Sequence, residues 1–330
     1  MKRVFVYEYL SGGGAVGSDS SDSPDSTDGR DEAASAELLP LGLSMRDAMV
    51  ADLARLGDCI VTAATCAAAP PPPAAVRAAV PQAGEAAFNF VARQAAEHDL
   101  TWLVAPETGG LLAQFCQRVS PARWVGCSLG AIRLASSKRA TSQRLQAHGV
   151  VTPLAFHGSP DVRRWVVKPD DGAGGVATRV HENHDEAQDD FCQRSREGVP
   201  TTLEPWVEGE PLSLSLLCGD GCELLSINRQ HIGLDDQGRL AFLGVQVNAL
   251  PMADERARPL RDLAERVNEA IPGLAGFAGI DLVWHPQRGP VVIEVNPRVT
   301  CAYVGLSAAL GRNLSAELLA AHAGASHVHA

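Results

Sequence analysis

Near the C-terminal end of the chain, Glu294 and Asn296 close an apolar run, Pro290-Val291-Val292-Ile293. Asp281 lies inside a second run, Gly279-Ile280-Asp281-Leu282-Val283-Trp284. Both runs read as β-strands, on which residues two apart point the same way. Glu294 and Asn296 therefore project together, and a neighbouring strand can bring Asp281 alongside. Two carboxylates and an amide oxygen are hard ligands, the set that suits a magnesium ion also held by nucleotide phosphates. Taken alone, the triplet reads equally as edge-strand acids in water. The groups upstream give it weight.

Lys168 ends the apolar strand Arg164-Trp165-Val166-Val167. Burying a lysine there is costly unless an anion meets it, and phosphate is such an anion; the alternative is a lysine that snorkels out at the strand end. Asp170-Asp171-Gly172-Ala173-Gly174-Gly175 follows, a flexible turn whose backbone N–H groups can close on phosphates. No Gly-Lys-Ser/Thr follows, so it is not a Walker loop, and a hairpin rather than a helix is predicted after it. Lys138 sits on a predicted helix, in Ser136-Ser137-Lys138-Arg139-Ala140-Thr141. Further on, Glu204-Pro205-Trp206-Val207-Glu208-Gly209-Glu210 reads as a short strand able to line an adenine. Trp206 and Val207 would wall the base, and Glu208 or Glu210 would meet the ribose hydroxyls. Pro205 has no N–H, so the backbone donor to the base would be Val207. Arg229 and Arg298 offer planar forks for a carboxylate or phosphate, or partners for the chain's many acids.

The N-terminal third alternates strands and helices. Strands are predicted at residues 2–9, 58–63 and 101–105, and helices from the capping-box pattern Ser44-Met45-Arg46-Asp47 onward and from about Gly84 to His98. This is the pattern of a small parallel α/β domain. Its strand ends carry Glu8 and Glu107, positions where such sheets gather ligands; turn capping is the alternative for both. A Ser/Asp-rich run at about 17–36 has almost no apolar residues and is predicted to be a disordered surface insertion. A helical stretch is expected from Ser128 to His148, strands and one polar helix between 164 and 247, and helices at about 253–270 and 303–323. Three segments follow: 1–125, 126–203 and 204–330.

The chain has 330 residues, 45% of them hydrophobic, enough for more than one core. Its formal net charge of -11 argues against a nucleic-acid binder that relies on backbone phosphates. No apolar run of about 18 residues is present, so no membrane span is expected. An acidic residue, Glu8, arrives too early for a signal-peptide core, and a cytoplasmic location is expected. The eight cysteines form no CxxC pair; Cys218 and Cys222, across a predicted hairpin turn, are the closest. The His-rich end, His322 to His329, reads as a frayed tail.

The order Lys138, Lys168, glycine loop, Glu-Pro-Trp-Val segment, Asp281, Glu294-x-Asn296 resembles the ATP-grasp superfamily. That resemblance implies an α/β chain, α+β in its C-terminal part, with an N-terminal parallel α/β domain and two subdomains that clamp ATP. It implies Lys138 and Lys168 as nucleotide-phosphate lysines and residues 171–175 as a mobile loop over the phosphates. Glu204 and Val207 become adenine contacts, Asp281, Glu294 and Asn296 ligands of Mg2+ with Mn2+ as a substitute, and Arg298 a group near the transferred phosphate or substrate carboxylate. Some relatives carry an arginine two residues before the first metal acid; here that position is Gly279, so transition-state charge would fall to Arg229 or Arg298.

A narrower resemblance, carried by Val6–Gly13, Ala105-Pro106-Glu107, Leu225–Gln230 and Asn296–Leu306, is to the tyramine–glutamate ligases of methanofuran-type cofactor biosynthesis. It implies an ATP-dependent carboxylate–amine ligase of one-carbon metabolism that joins the γ-carboxyl of glutamate to tyramine or tyrosine, with Glu8 or Glu107 near the incoming ammonium. The rival readings are another amino-acid or peptide substrate pair, a small-molecule kinase, or a nucleotide-binding protein without turnover. Partners are small molecules, and a homo-oligomer is compatible with the sequence.

Overall fold

The structure is a computed structural model. It describes the backbone of residues 1–14 and 28–328, and the side chains of residues 1–14 and 38–324. The chain divides into two units: Met1–Ala105 with Leu111–Gly126 and Tyr303–Ala330, and Pro106–Gly110 with Cys127–Ala302. Two pieces cross the boundaries expected from the sequence. The short Pro106–Gly110 segment groups with the second unit, and the C-terminal helices group with the first.

The first unit begins with β1 (Lys2–Glu8), α1 (Asp28–Ala54), β2 (Cys59–Ala64), β3 (Arg77–Ala79), α2 (Ala87–Glu97), β4 (Leu100–Val104), α3 (Leu111–Arg118) and β5 (Trp124–Val125). The strands form one sheet in the order β3-β2-β1-β4-β5, every pair parallel. Val4, Phe5, Val6 and Tyr7 are all inaccessible to solvent, as a strand covered on both faces requires. The strand order reverses between β1 and β4, so Glu8 stands at the carboxyl end of a strand beside the switch point.

Helix α1 corrects two expectations. Its Ala- and Glu-containing first turns, residues 28–36, are helical rather than part of a disordered insertion, since these residues favour helix; the rest of the predicted insertion, up to residue 27, lies outside the described residues. The helix also does not start at Ser44. That hydroxyl lies mid-helix and donates to the Pro40 carbonyl at 2.8 Å, one turn back.

The second unit holds α4 (Leu129–Ser136), α5 (Lys138–Ala147), β6 (Trp165–Pro169), β7 (Arg179–His181), α6 (His184–Arg196), β8 (Thr201–Pro205), β9 (Glu210–Cys218), β10 (Cys222–Leu234), β11 (Leu240–Leu250), α7 (Ala257–Ala270), β12 (Gly276–His285) and β13 (Gly289–Asn296). These build a three-stranded antiparallel sheet, β7-β6-β8, and a five-stranded antiparallel sheet, β11-β10-β9-β12-β13. Helix α7 buries Leu260, Leu263, Ala264 and Val267 and packs against β9, β10 and β13. Phe156, Val207 and Val291 form a core cluster, with Val151, Val283 and Ile293 packed around it.

The chain then returns to the first unit as α8 (Leu306–Leu310) and α9 (Leu314–Val328), two helices where one was expected. Gly311, at φ 65°, separates them. Tyr303, Ser307 and the buried Asp52 of α1 are joined there by hydrogen bonds from both hydroxyls to the carboxylate. Among the described residues no helix is long and apolar enough to cross a membrane.

Candidate active site

Register fixes the acidic pair. Asp281 on β12 stands directly opposite Glu294 on β13, and Gly279 opposite Asn296. Paired residues share a face, as do residues two apart along a strand. Asp281, Glu294 and Asn296 therefore lie on one face of the five-stranded sheet. The two carboxylates strain against each other. Burial first, and Glu294 second, push Asp281 up to about 7, while Asn296, Arg298 and Gln230 pull the other way. A bound cation would relieve that repulsion. The donor set thus fits a hard divalent ion. Among the described residues no three His, Cys, Asp or Glu side chains form a metal cluster, so an ion here would rest on two carboxylates and an amide.

Lys138 links this pair to the glycine loop. Its ammonium lies 3.1 Å from Glu294 Oε1 and donates to the Gly172 carbonyl at 2.9 Å. Position follows from capping. Ser137 caps α5, and Asp170, the residue that opens the loop, accepts from the Ser137 hydroxyl at 2.7 Å and the Arg139 N–H at 2.9 Å. A carboxylate at a helix N-terminus is favoured by the helix dipole. The loop's first acid thus ties it to α5 and sets Lys138 beneath it. Asp171 turns elsewhere and accepts from the Gly109 N–H at 2.8 Å. Gly174 and Gly175 adopt φ of 70° and 72°, the left-handed region that side chains avoid. Strand β7 follows in antiparallel pairing with β6, the hairpin expected.

Lys168 is buried, 4% exposed, and its partner is the carboxylate of Glu204, also buried. On β6 and β8, Val166 pairs with Glu204 and Lys168 with Thr202, so lysine and glutamate share a face. The anion that the sequence demands for Lys168 is supplied by the chain itself. Glu204 is thereby the ion-pair partner of Lys168. Trp206 lies under the Arg164 guanidinium, and its indole N–H is buried with no acceptor among the described residues. Val207 is a core residue at 5% exposure. Glu208 is exposed and bonded to Arg164.

Arg298 and Glu107 form a two-pronged pair. Nε donates to one carboxylate oxygen at 2.8 Å and a terminal nitrogen to the other at 2.9 Å. Burial opposes the guanidinium's charge, but Glu107 outweighs it and holds Arg298 more firmly protonated than usual. Glu107 is thus a partner of Arg298 and not a carboxylate open to an ammonium. Glu8 belongs to the other unit. It is 3% exposed, accepts from the backbone N–H groups of Ser11 at 2.8 Å and Leu10 at 3.1 Å, and takes the turn-capping role. Burial raises its carboxyl above the ordinary range.

The structure does not bring Arg229 to the acids. It pairs with Leu212, which pairs with Leu282, and so lies on the sheet face opposite Asp281. There it meets Glu210 at 2.7 Å, as does Arg256. Glu210 is consequently held by two arginines, as Glu208 is held by Arg164. The residue of β10 that does reach the site is Gln230, whose amide donates to Asp281 Oδ1 at 3.0 Å. Sequence reading misses it. The available signal is the every-second-residue polar pattern Ser226-x-Asn228-x-Gln230, matched by Ser213-x-Ser215 on the neighbouring strand.

Comparison with known proteins identifies the family. Residues 135–302 match the ATP-grasp domain family, and residues 59–132 the pre-ATP-grasp domain that accompanies it. The chain belongs to the ATP-grasp family. Tyramine–L-glutamate ligase from Methanocaldococcus fervens is 30% identical over 210 residues, which cover 63% of this chain and 61% of that protein. The match therefore spans less than two-thirds of the relative's length. Among solved structures, L-amino acid ligase from Bacillus licheniformis is similar with a TM-score of 0.65 at 18% identity, covering 97% of this chain and 73% of that one. D-alanine–D-alanine ligase from Bacillus anthracis, complexed with ATP, gives a TM-score of 0.61 at 15% identity, covering 99% and 97%. At such identities the structures speak to the fold alone.

Proposed function

We propose that the protein is an ATP-dependent carboxylate–amine ligase that joins the γ-carboxyl of glutamate to tyramine or tyrosine. The observation that carries the reading is Lys138, whose ammonium reaches both the acidic pair at Glu294 and the glycine loop at Gly172. That contact gathers a phosphate-binding loop, a cation and two metal-binding carboxylates at one point. The likeness to tyramine–L-glutamate ligase supports the substrate pair, and with it a place in the assembly of a methanofuran-type one-carbon carrier.

In this reading a carboxylate oxygen of the acid attacks the γ-phosphorus of ATP. The bond to the bridging oxygen breaks, and ADP and an acyl phosphate result. The amine nitrogen then attacks the acyl carbon, phosphate leaves, and loss of a proton gives the amide. Magnesium held by Asp281, Glu294 and Asn296 would neutralise charge on the phosphates. Lys138 and Lys168 bind the nucleotide phosphates, and for Lys168 this means exchanging or sharing Glu204. Arg298, steadied by Glu107, offers its charge to the transferring phosphoryl group. The glycine loop excludes water that would hydrolyse the acyl phosphate. Glu208 or Glu210 is the residue for the ribose, each giving up an arginine partner.

The test is product analysis by mass spectrometry after incubation with ATP, Mg2+, glutamate and either amine. The expected products are a γ-glutamyl amide, ADP and free phosphate. A stable phosphorylated product without amide would make the protein a kinase, and intact ATP with every acid and amine tried would remove the ligase reading.

A further inference from the structure

On the sheet face that carries Asp281, β10 presents Ser226, Asn228 and Gln230. Ser226 and Asn228 are inaccessible to solvent. Asn228 spends its amide within the sheet. It donates to Ser215 Oγ at 3.1 Å and accepts from the Ser226 hydroxyl and the Asn248 backbone N–H, each at 2.9 Å. The last bond stands in for a ladder bond where the pairing of β10 with β11 slips in register, and Asn248 sits there at φ 53°. Asn228 therefore pins its strand.

Gln230, next along the same face, reaches outward. Its amide donates to Asp281 Oδ1 at 3.0 Å, while the Asn296 amide donates to Oδ2 at 3.1 Å. Both oxygens of Asp281 are thus oriented by neutral donors. A side chain two residues before Asp281 has no room: a Cβ on Gly279 would lie 2.8 Å from Thr300 Cγ2. A cationic donor in Gln230's place would compete with a metal for the same carboxylate charge; an amide orients without neutralising.

We propose that Gln230 is a positioning residue that holds the Asp281 carboxylate in its metal-binding orientation and, being neutral, leaves its charge to the cation. The proposal rests on the metal–nucleotide reading given above. Its test is Mn2+ binding, followed by electron paramagnetic resonance in the presence of ADP, for the wild-type chain, Gln230→Ala and the volume-preserving Gln230→Met. Partners of metal ligands typically matter at the level of ~10-fold or more in affinity, and both variants are expected to weaken Mn2+ binding by about that factor. Their metal-free thermal midpoints should stay at the wild-type value, which a merely structural role would lower. Wild-type Mn2+ affinity in both variants would overturn the positioning role alone. A wild-type chain that binds no Mn2+ with ADP would overturn this role and the metal–nucleotide reading together.

Discussion

Arg298 and Glu107 are nearly sealed from solvent and face each other through two parallel hydrogen bonds, although 190 residues intervene in the chain. A guanidinium left without its partner in such a place is expensive. Glu107→Ala should lower unfolding stability by about 3–5 kcal/mol, the usual cost of breaking a buried pair from one side. Urea denaturation measures it. The double variant with Arg298→Ala should lose much less than the sum of the two single changes, and additive losses would show that the pair is not coupled.

Lys168 should matter to nucleotide binding even though Glu204 already occupies it. Lys168→Ala is expected to weaken binding of a non-hydrolysable ATP analogue by about 1–3 kcal/mol, the range for losing a charged hydrogen-bond partner. Isothermal titration calorimetry reads the change directly. Unaltered affinity would mean that the Lys168–Glu204 pair is purely structural.

Arg229 gives the converse case. It faces α7 rather than the acids, and its pair with Glu210 is partly open to water. Arg229→Ala should leave turnover close to wild type and cost less than about 1 kcal/mol of stability, as for exposed ion pairs. Steady-state kinetics decide. A collapse of the catalytic rate with KM unchanged would place this arginine back in the reaction.

Asp190 supplies a pH dependence. Burial alone would raise its carboxyl, but Arg194 and His181 outweigh burial and hold it below the ordinary value. A group with a lowered folded pKa contributes stability that is complete above its unfolded pKa, about 4, and lost as pH falls towards the folded value. The stability gap between wild type and Asp190→Asn should therefore be widest near neutrality and close as pH drops below about 4. Chemical denaturation at a series of pH values checks this, and a gap that widens in acid would contradict the sign.

Much of the fold was legible because its signals are local. The apolar run from Val4 to Tyr7, the alternation of strand and helix, and the hairpin after the glycine loop all declare themselves within a few residues. So did the shared side of Glu294 and Asn296, which strand periodicity alone sets; the pairing of the two strands then brings Asp281 alongside. What was hidden depends on partners far along the chain. Nothing near Lys168 announces Glu204, and nothing near Arg298 announces Glu107. Facing was lost at Arg229 for a simpler reason. Adjacent residues on a strand point opposite ways, and of Arg229 and Gln230 only the register with β9 and β12 tells which one looks towards Asp281. The start of α1 was missed because acidic and serine-rich surroundings masked good helix formers.

The central claim is that the lysines of the middle segment and the acids of the last strands act on one metal–nucleotide complex. Replacing Glu294 by alanine strikes both, since this carboxylate faces Asp281 and touches Lys138. The decisive measurement is ADP release by Glu294→Ala beside wild type, with circular dichroism to show that the fold is retained. The account predicts that release is abolished in a folded variant. Near-wild-type release from that variant would contradict it.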